Sequence, residues 1–332
     1  MGCDAASRGG APIVRIELPT PFPVGNVNVY LIEDRPLTLV DAGPNSAEAL
    51  TALTAGLAAR GRGLEEIELL LLTHQHSDHV GLAGEVVTRS GATVAAIEPL
   101  ARFLGDHERS MQVEEEYQGA VMELHGVPRE PARRALAAAQ AKRGPAHSVH
   151  VARPLAAGDV VELESRRLRV SSRSGHSPTD TIFVDEEARV ALVGDHLIVH
   201  ISSNPVVHSP LDGSRDPRHR TPALRNYLDS LGRTAALDLD LLHPGHGRDV
   251  ADHRRLIAER LELHAGRKRR IHTELRDGPR SAHQVALQLW GDVAVEQAFL
   301  TACEVLGHLD LLEADGVVVQ RERDGVVEYA AA

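Results

Sequence analysis

Two kinds of apolar spacing alternate along this chain. "IVRIELP", "NVNVYLIED" and "LTLVDAG" carry apolar residues at alternate positions and are separated by Pro, Gly and Asp, which predicts short strands in a meander. "SAEALTALTAGLAARG" switches to helical spacing, with Ser46 placed to cap its start and Gly61 to stop it. Next comes Leu69-Leu70-Leu71-Leu72, a continuous apolar run of the length expected for a strand buried on both faces. "GLAGEVVTRSG" predicts a short helix and "ATVAAI" another strand, so the β-α-β rhythm of an α/β domain continues.

That rhythm breaks from about Pro99 to Ala152. The stretch is rich in Ala, Glu and Arg without a convincing strand, and predicts two or three helices laid across the scaffold as a lid or substrate wall. Strand signals return in "DVVELESRRLRVSSRSGH", "DTIFVDEEARVALVGDH" and "LDLDLLHPGHG", each ending in a loop that carries His or Asp. Two halves of similar layout suggest two packed sheets with helices outside and a site along their common edge. Residues 12–251 are thus expected to form one catalytic domain. From Asp252 a long helix leads into two more helical stretches and then "VVVQRERDGVVEY", whose Asp324-Gly325 pair predicts a hairpin. Residues 252–332 are therefore expected to form a linker helix and a winged-helix-like domain.

Composition narrows the partners. Aromatic residues make up only 3%, which leaves few platforms for stacking bases, and 36 basic against 47 acidic residues give a net charge of −11, with no overall field for a polyanion. The "RKRR" run at 267–270 does not reverse this, because from Arg267 onward eight basic residues face eleven acidic ones. DNA or RNA is disfavoured as a partner, and packing of the tail on the catalytic domain or in a homodimer is preferred. Cys3 and Cys303 are too few and too far apart for a disulfide framework, and no apolar stretch reaches the ~20 residues of a membrane span. A cytoplasmic protein is expected. Residues 1–11 are expected to be a disordered leader, and "MGCDAAS" misses a myristoylation signal by one place, with Ala6 where the hydroxyl residue should stand.

The chemistry concentrates in "LLLLTHQHSDHVGL". His74, His76, Asp78 and His79 leave the end of a buried strand, where open α/β sheets bind ligands. Side chains at these spacings cannot all point one way, so one set can serve one cation and another set a second. Without a cation, histidines this dense would repel when protonated and cost desolvation when buried. Of the chain's 19 histidines, most of those outside this stretch, among them His107, His125, His264 and His308, are expected to be surface or hydrogen-bonding residues, while His196, His200 and His208 lie close enough to the site to face substrate.

"THQHSDHVG" resembles the His-x-His-x-Asp-His signature of the metallo-β-lactamase-fold superfamily, and "GHSPTD", "GDH" and "PGHG" follow in the family's order. The resemblance spans roughly residues 12–250 and implies a four-layer αββα sandwich. It implies that His74, His76 and His176 hold one metal, that Asp78, His79 and His246 hold a second, and that Asp195 bridges them. Asp41 matches a family aspartate beneath the site. Such a centre suits two zinc ions and admits iron or manganese. It activates water for hydrolysis, with Asp78 and Asp195 orienting the nucleophile and handling its proton. A carboxylate at 195 is similar to the glyoxalase II, lactonase and nuclease branches, whereas true β-lactamases of the superfamily carry cysteine there or lack the bridge. Arg173-Ser174-Gly175 stands where relatives commonly have Thr-Pro-Gly.

The expected function is hydrolysis of a small thioester, ester or lactone. Three alternatives are an endoribonuclease or phosphodiesterase on the same site, a persulfide dioxygenase with one iron, and a winged-helix metal sensor that binds DNA.

Overall fold

The computed structural model describes residues 10–332, so all but the last two residues of the expected leader lie outside the described residues. The first sheet takes its strands in chain order: Ile13–Leu18, Val27–Ile32, Thr38–Val40, Leu69–Leu71, Thr93–Ile97 and Arg153–Leu155. The first three pair antiparallel, and from Thr38–Val40 onward every pairing is parallel. Parallel neighbours need long crossovers. Helices Ala47–Ala58 and Ala83–Ser90 supply the first two, and helices Glu98–Gly105, His107–Leu124 and Arg129–Arg143 together supply the third. The helical insertion is thus an enlarged crossover.

The second sheet has the order Leu241–Pro244, Val190–Gly194, Thr181–Asp185, Arg167–Ser172, Val160–Glu162. Only the pairing of Leu241–Pro244 with Val190–Gly194 is parallel, and helix Ala223–Ala235 lies in the connection between those two strands. The sheets stack because their strands are apolar on both faces. In Val27–Ile32, Val29 and Leu31 pack under the helices with Leu53 and Val86, while Tyr30 and Ile32 face Val170 and Phe183 of the other sheet. On the far side Val184 and Val193 meet Tyr227, Leu231 and Ile257 of the outer helices. Three apolar layers therefore separate four layers of secondary structure in the order αββα.

Helices His253–Glu274, Ala282–Trp290 and Ala298–Ala314 and a small sheet of Arg280–Ser281, Val326–Ala331 and Val318–Arg323 complete the chain. Asp324 and Gly325 both have positive φ (51° and 78°), as a two-residue hairpin turn of this kind requires. The second of the two helical stretches expected after the long helix breaks at Gln297 (φ −119°, ψ 45°), leaving a short turn at Val293–Glu296 ahead of Ala298–Ala314. This C-terminal part shares a core with the insertion. Tyr117, Val121 and Leu124 of the insertion and Val206 and Val207 of the 201–222 segment pack with Leu306, Leu309 and Tyr329. No helix among the described residues is long and apolar enough to cross a membrane.

Candidate metal centre

The site lies where both sheets end. Strand Leu69–Leu71 delivers Thr73 and His74, and the expected loop after it is a short helix, Ser77–Val80, with His76 at its N-cap. That turn carries Asp78 and His79. The second sheet contributes His176, just ahead of strand Thr181–Asp185, Asp195 after Val190–Gly194, and His246 after Leu241–Pro244. The two sheets are tied at this edge: the Asn28 backbone N–H donates to Gly245 O at 2.7 Å, and Val27 bridges to His246.

All seven sequence-derived candidates come together in two groups. His74, His76, His176 and Asp195 form one and Asp78, His79 and His246 the other, and in each the donor atoms lie within 4.8 Å of one another. Asp195 reaches both, with Oδ1 3.3 Å from His79 Nε2 and Oδ2 3.4 Å from His246 Nε2 and 3.6 Å from His176 Nε2.

The hydrogen bonds fix which ring nitrogens are bare. His79 Nδ1 donates to Asp41 Oδ2 at 2.7 Å, His176 Nδ1 to Asn204 O at 2.8 Å and His246 Nδ1 to Asn26 O at 2.8 Å. The Thr73 hydroxyl donates to Asp41 Oδ2, so at His74 it is Nδ1 that donates to Thr73 Oγ1, at 3.0 Å. With Nδ1 spent on these acceptors, the four Nε2 atoms are the ones turned inward and, in the neutral ring, carry no proton. They meet only other acceptors: His74 and His176 Nε2 point at His76 Nδ1 (3.1 and 2.9 Å), and His79 and His246 Nε2 at carboxylate oxygens. His79 Nε2, His246 Nε2 and Asp195 Oδ1 are buried without any hydrogen-bond donor. Such groups are costly to bury unless something positive sits among them. The donor set of five imidazoles and two carboxylates fits two divalent cations of the zinc, iron or manganese type.

Protonation tendencies divide the site in two. Burial, helped by neighbouring His79 and His76, holds His74 well below the usual histidine range, and burial with His176 and His208 does so for His76. At His79 and His246 burial acts in the same sense, but Asp195 with Asp41 in one case and with Asp78 in the other outweighs it; His79 is raised and His246 is pushed up to about 10. The carboxylate-rich half calls for positive charge, which a proton supplies only by blocking Nε2.

Of the three flagged histidines near the site, His196 Nε2 bonds Thr234 Oγ1 (2.9 Å) and His200 Nε2 bonds Val24 O (3.0 Å), so both are struts. His208 differs. It lines a cavity of about 180 Å³ that also touches Gly175 and Ser177 on either side of His176, together with Val206, Ala223 and Asn226. None of the insertion's residues lines this cavity; Tyr117, Val121 and Leu124 pack toward the C-terminal helices, while Leu100 and Leu104 pack on the first sheet. Arg173 points away to Thr234 Oγ1 (2.9 Å), which leaves His176 in place despite the unusual tripeptide before it. Sequence reasoning missed Glu114, which bonds His208; it sits in "VEEEY" beside two further glutamates, and only its burial sets it apart.

A stacked pair of mixed sheets with histidines and aspartates on its shared edge defines a class of metal-dependent enzyme, and comparison gives the family. Residues 22–246 match the model of the metallo-beta-lactamase superfamily, and the chain belongs to it. A probable metallo-hydrolase of Bacillus subtilis, YqjP, is 32% identical over 92% of this chain and 93% of its own. The metallo-beta-lactamase family protein TTHA1429 of Thermus thermophilus superposes with a TM-score of 0.79 at 28% identity, covering 96% of this chain and 98% of that one. A beta-lactamase domain protein of Burkholderia ambifaria gives 0.76 at 25% identity, covering 96% and 92%. The chain is accordingly a metallo-hydrolase.

Proposed function

We propose that this chain hydrolyses a small thioester, ester or lactone at a dinuclear zinc centre of the glyoxalase II-like type. The observation that carries the reading is the set of four histidines whose Nδ1–H groups are spent on protein acceptors while their bare Nε2 atoms converge on Asp78, Asp195 and His76. The second group, Asp78, His79 and His246, is complete, which favours two cations over the single iron of a persulfide dioxygenase. Asp195 lies against both groups and is a carboxylate, which supports the bridging role and speaks against a true β-lactamase.

Bound cations would supply a water that ionises near neutral pH and would polarise the scissile carbonyl. Asp78 and Asp195 would orient the nucleophile and take up its proton as the leaving group departs. The cavity beside His176 accommodates the acyl part. None of the described residues lining it is Lys, Arg, Asp or Glu, so beyond the cations themselves it adds no counter-charge for an anionic phosphodiester and suits a neutral chain.

The C-terminal order of helix, strand, helix, helix and hairpin supports a winged helix. Its excess of acidic residues and its shared core with the insertion favour a structural role over DNA binding. The test is metal-loaded protein offered a panel of thioesters, lactones and phosphodiesters. Turnover of an acyl substrate that vanishes in Asp195→Ala is the expected result; phosphodiester cleavage alone would transfer the site to the nuclease reading, and retarded migration of DNA without turnover of any substrate to the sensor reading.

A further inference from the structure

Glu114, on the insertion helix His107–Leu124, is a buried carboxylate (4% exposed). The exposed glutamates of the insertion, such as Glu123 and Glu130, pair with arginines at the surface, where such pairs contribute little. Glu114 is instead held by neutral groups. Its Oε2 accepts from the Ser209 hydroxyl at 2.7 Å and the Ser209 N–H at 3.1 Å, and its Oε1 accepts from Gln118 Nε2 at 2.9 Å. Its remaining partner is His208 Nδ1, 2.9 Å from Oε1. A buried carboxylate needs donors, so it fixes the His208 proton on Nδ1, although Gln75 Nε2 also lies 3.2 Å from that atom.

His208 Nε2 is then bare, and it lies 3.4 Å from His76 Nε2, the two rings being nearly parallel (29°). His76 turns its Nδ1 to the centre, towards His74 and His176, so its proton sits on Nε2 and points at His208. The chain therefore runs from the Glu114 carboxylate to His208 and on to His76. Histidines that hold metals ordinarily give their outer N–H to an acceptor that fixes the ring and makes it a better donor. Asp41, Thr73, Asn204 and Asn26 play that part for the other four, and each comes from one of the two sheets or their edge loops. His76 alone takes its acceptor from another imidazole, His208, which lies on the same 201–222 segment as Asn204 but is itself held by a carboxylate of the insertion.

We propose that Glu114 and His208 form a carboxylate–imidazole support that orients His76, so that cation binding at the His74, His76 and His176 group depends on an insertion that contributes no ligand. The inference rests on the dinuclear reading above. It also gives the insertion a use that its absence from the cavity wall leaves open: its packing against the C-terminal helices sets the position of a carboxylate two hydrogen bonds removed from His76.

The experiment is zinc binding by the full chain in competition with a chromophoric chelator, resolving two sites in the wild type. Glu114→Gln keeps volume and can still accept from Ser209 but loses the charge; Ser209→Ala removes a donor to Glu114 and leaves the path to His76 intact. Glu114→Gln and His208→Gln are expected to weaken one of the two sites on the order of 10-fold or more and to leave the other within about twofold, while Ser209→Ala keeps both. With cobalt in place of zinc, the ligand-field spectrum of the weakened site should shift in Glu114→Gln and not in Ser209→Ala. Equal affinities in wild type and Glu114→Gln, equal losses at both sites, or a loss in Ser209→Ala as large as in Glu114→Gln would overturn the proposal. Wild-type protein that takes up no cation would remove the dinuclear reading and this inference with it, whereas two intact sites in every variant would sink this inference alone.

Discussion

Asp41 Oδ2 lies 2.7 Å from His79 Nδ1, and the same carboxylate accepts from the Thr73 N–H and hydroxyl, each at 2.8 Å. One side chain thus fixes His79 directly and His74 through Thr73, one from each group of the centre. Asp41 does so from a left-handed backbone (φ 61°), a conformation that Asp and Asn tolerate better than other side chains. Asp41→Ala should therefore weaken zinc binding about 10–100-fold, and Asp41→Asn, which fits the backbone but lacks the charge, should lose less. Titration against a chelator measures both.

Gly245 makes room for the centre. A Cβ there would stand 2.3 Å from Asp195 Oδ1 and 2.6 Å from His79 Cε1, so Gly245→Ala must displace one of them. Displacements near 1 Å at a reacting centre cost on the order of 100-fold in rate. The expected outcome is kcat/KM reduced by about that factor in a variant that keeps its wild-type circular dichroism.

The interface between the sandwich and the C-terminal helices holds a partly buried ion pair, Arg220 with Asp310, and Arg220 also donates to His125 Nε2 at 3.1 Å. Arg220→Ala leaves a carboxylate and a ring nitrogen without their donor. Loss of about 1–3 kcal/mol is expected, read as a lower urea midpoint.

His125 supplies a pH dependence away from the centre. Burial and then the Arg220 charge push it down to about 3, while the unfolded chain protonates it near its usual value. The folded value is the lower one, so the stability it contributes is present above about 6.5 and is lost as pH falls from there towards 3, at up to ~1.4 kcal/mol per unit. His264, pushed down to about 4 chiefly by burial, acts in the same sense. Urea unfolding of wild type and His125→Gln at pH 7.5, 6 and 5 should show the variant losing less stability per unit.

The sandwich and its edge were legible because their signals are local. Period-two spacing separates Val29 and Leu31 from Tyr30 and Ile32, and a stretch such as His74 to His79 has few explanations other than a cation. Helix Ala223–Ala235 escaped notice because its segment is crowded with polar residues, and its buried face, Leu224, Tyr227 and Leu231, shows only against the second sheet. Glu114 and His208 are separated by 94 residues and become partners only once the insertion has packed. Which way the insertion faces was hidden for the same reason: its composition announces helices but not their packing partners.

The account stands on cation binding, and metal content measures it most directly. Protein purified without chelators, or reconstituted with zinc, should hold two equivalents per chain, falling to one in His246→Ala, with acyl-substrate turnover following occupancy. Protein that retains no zinc, iron or manganese when each is offered in turn, while still folded by circular dichroism, would contradict it.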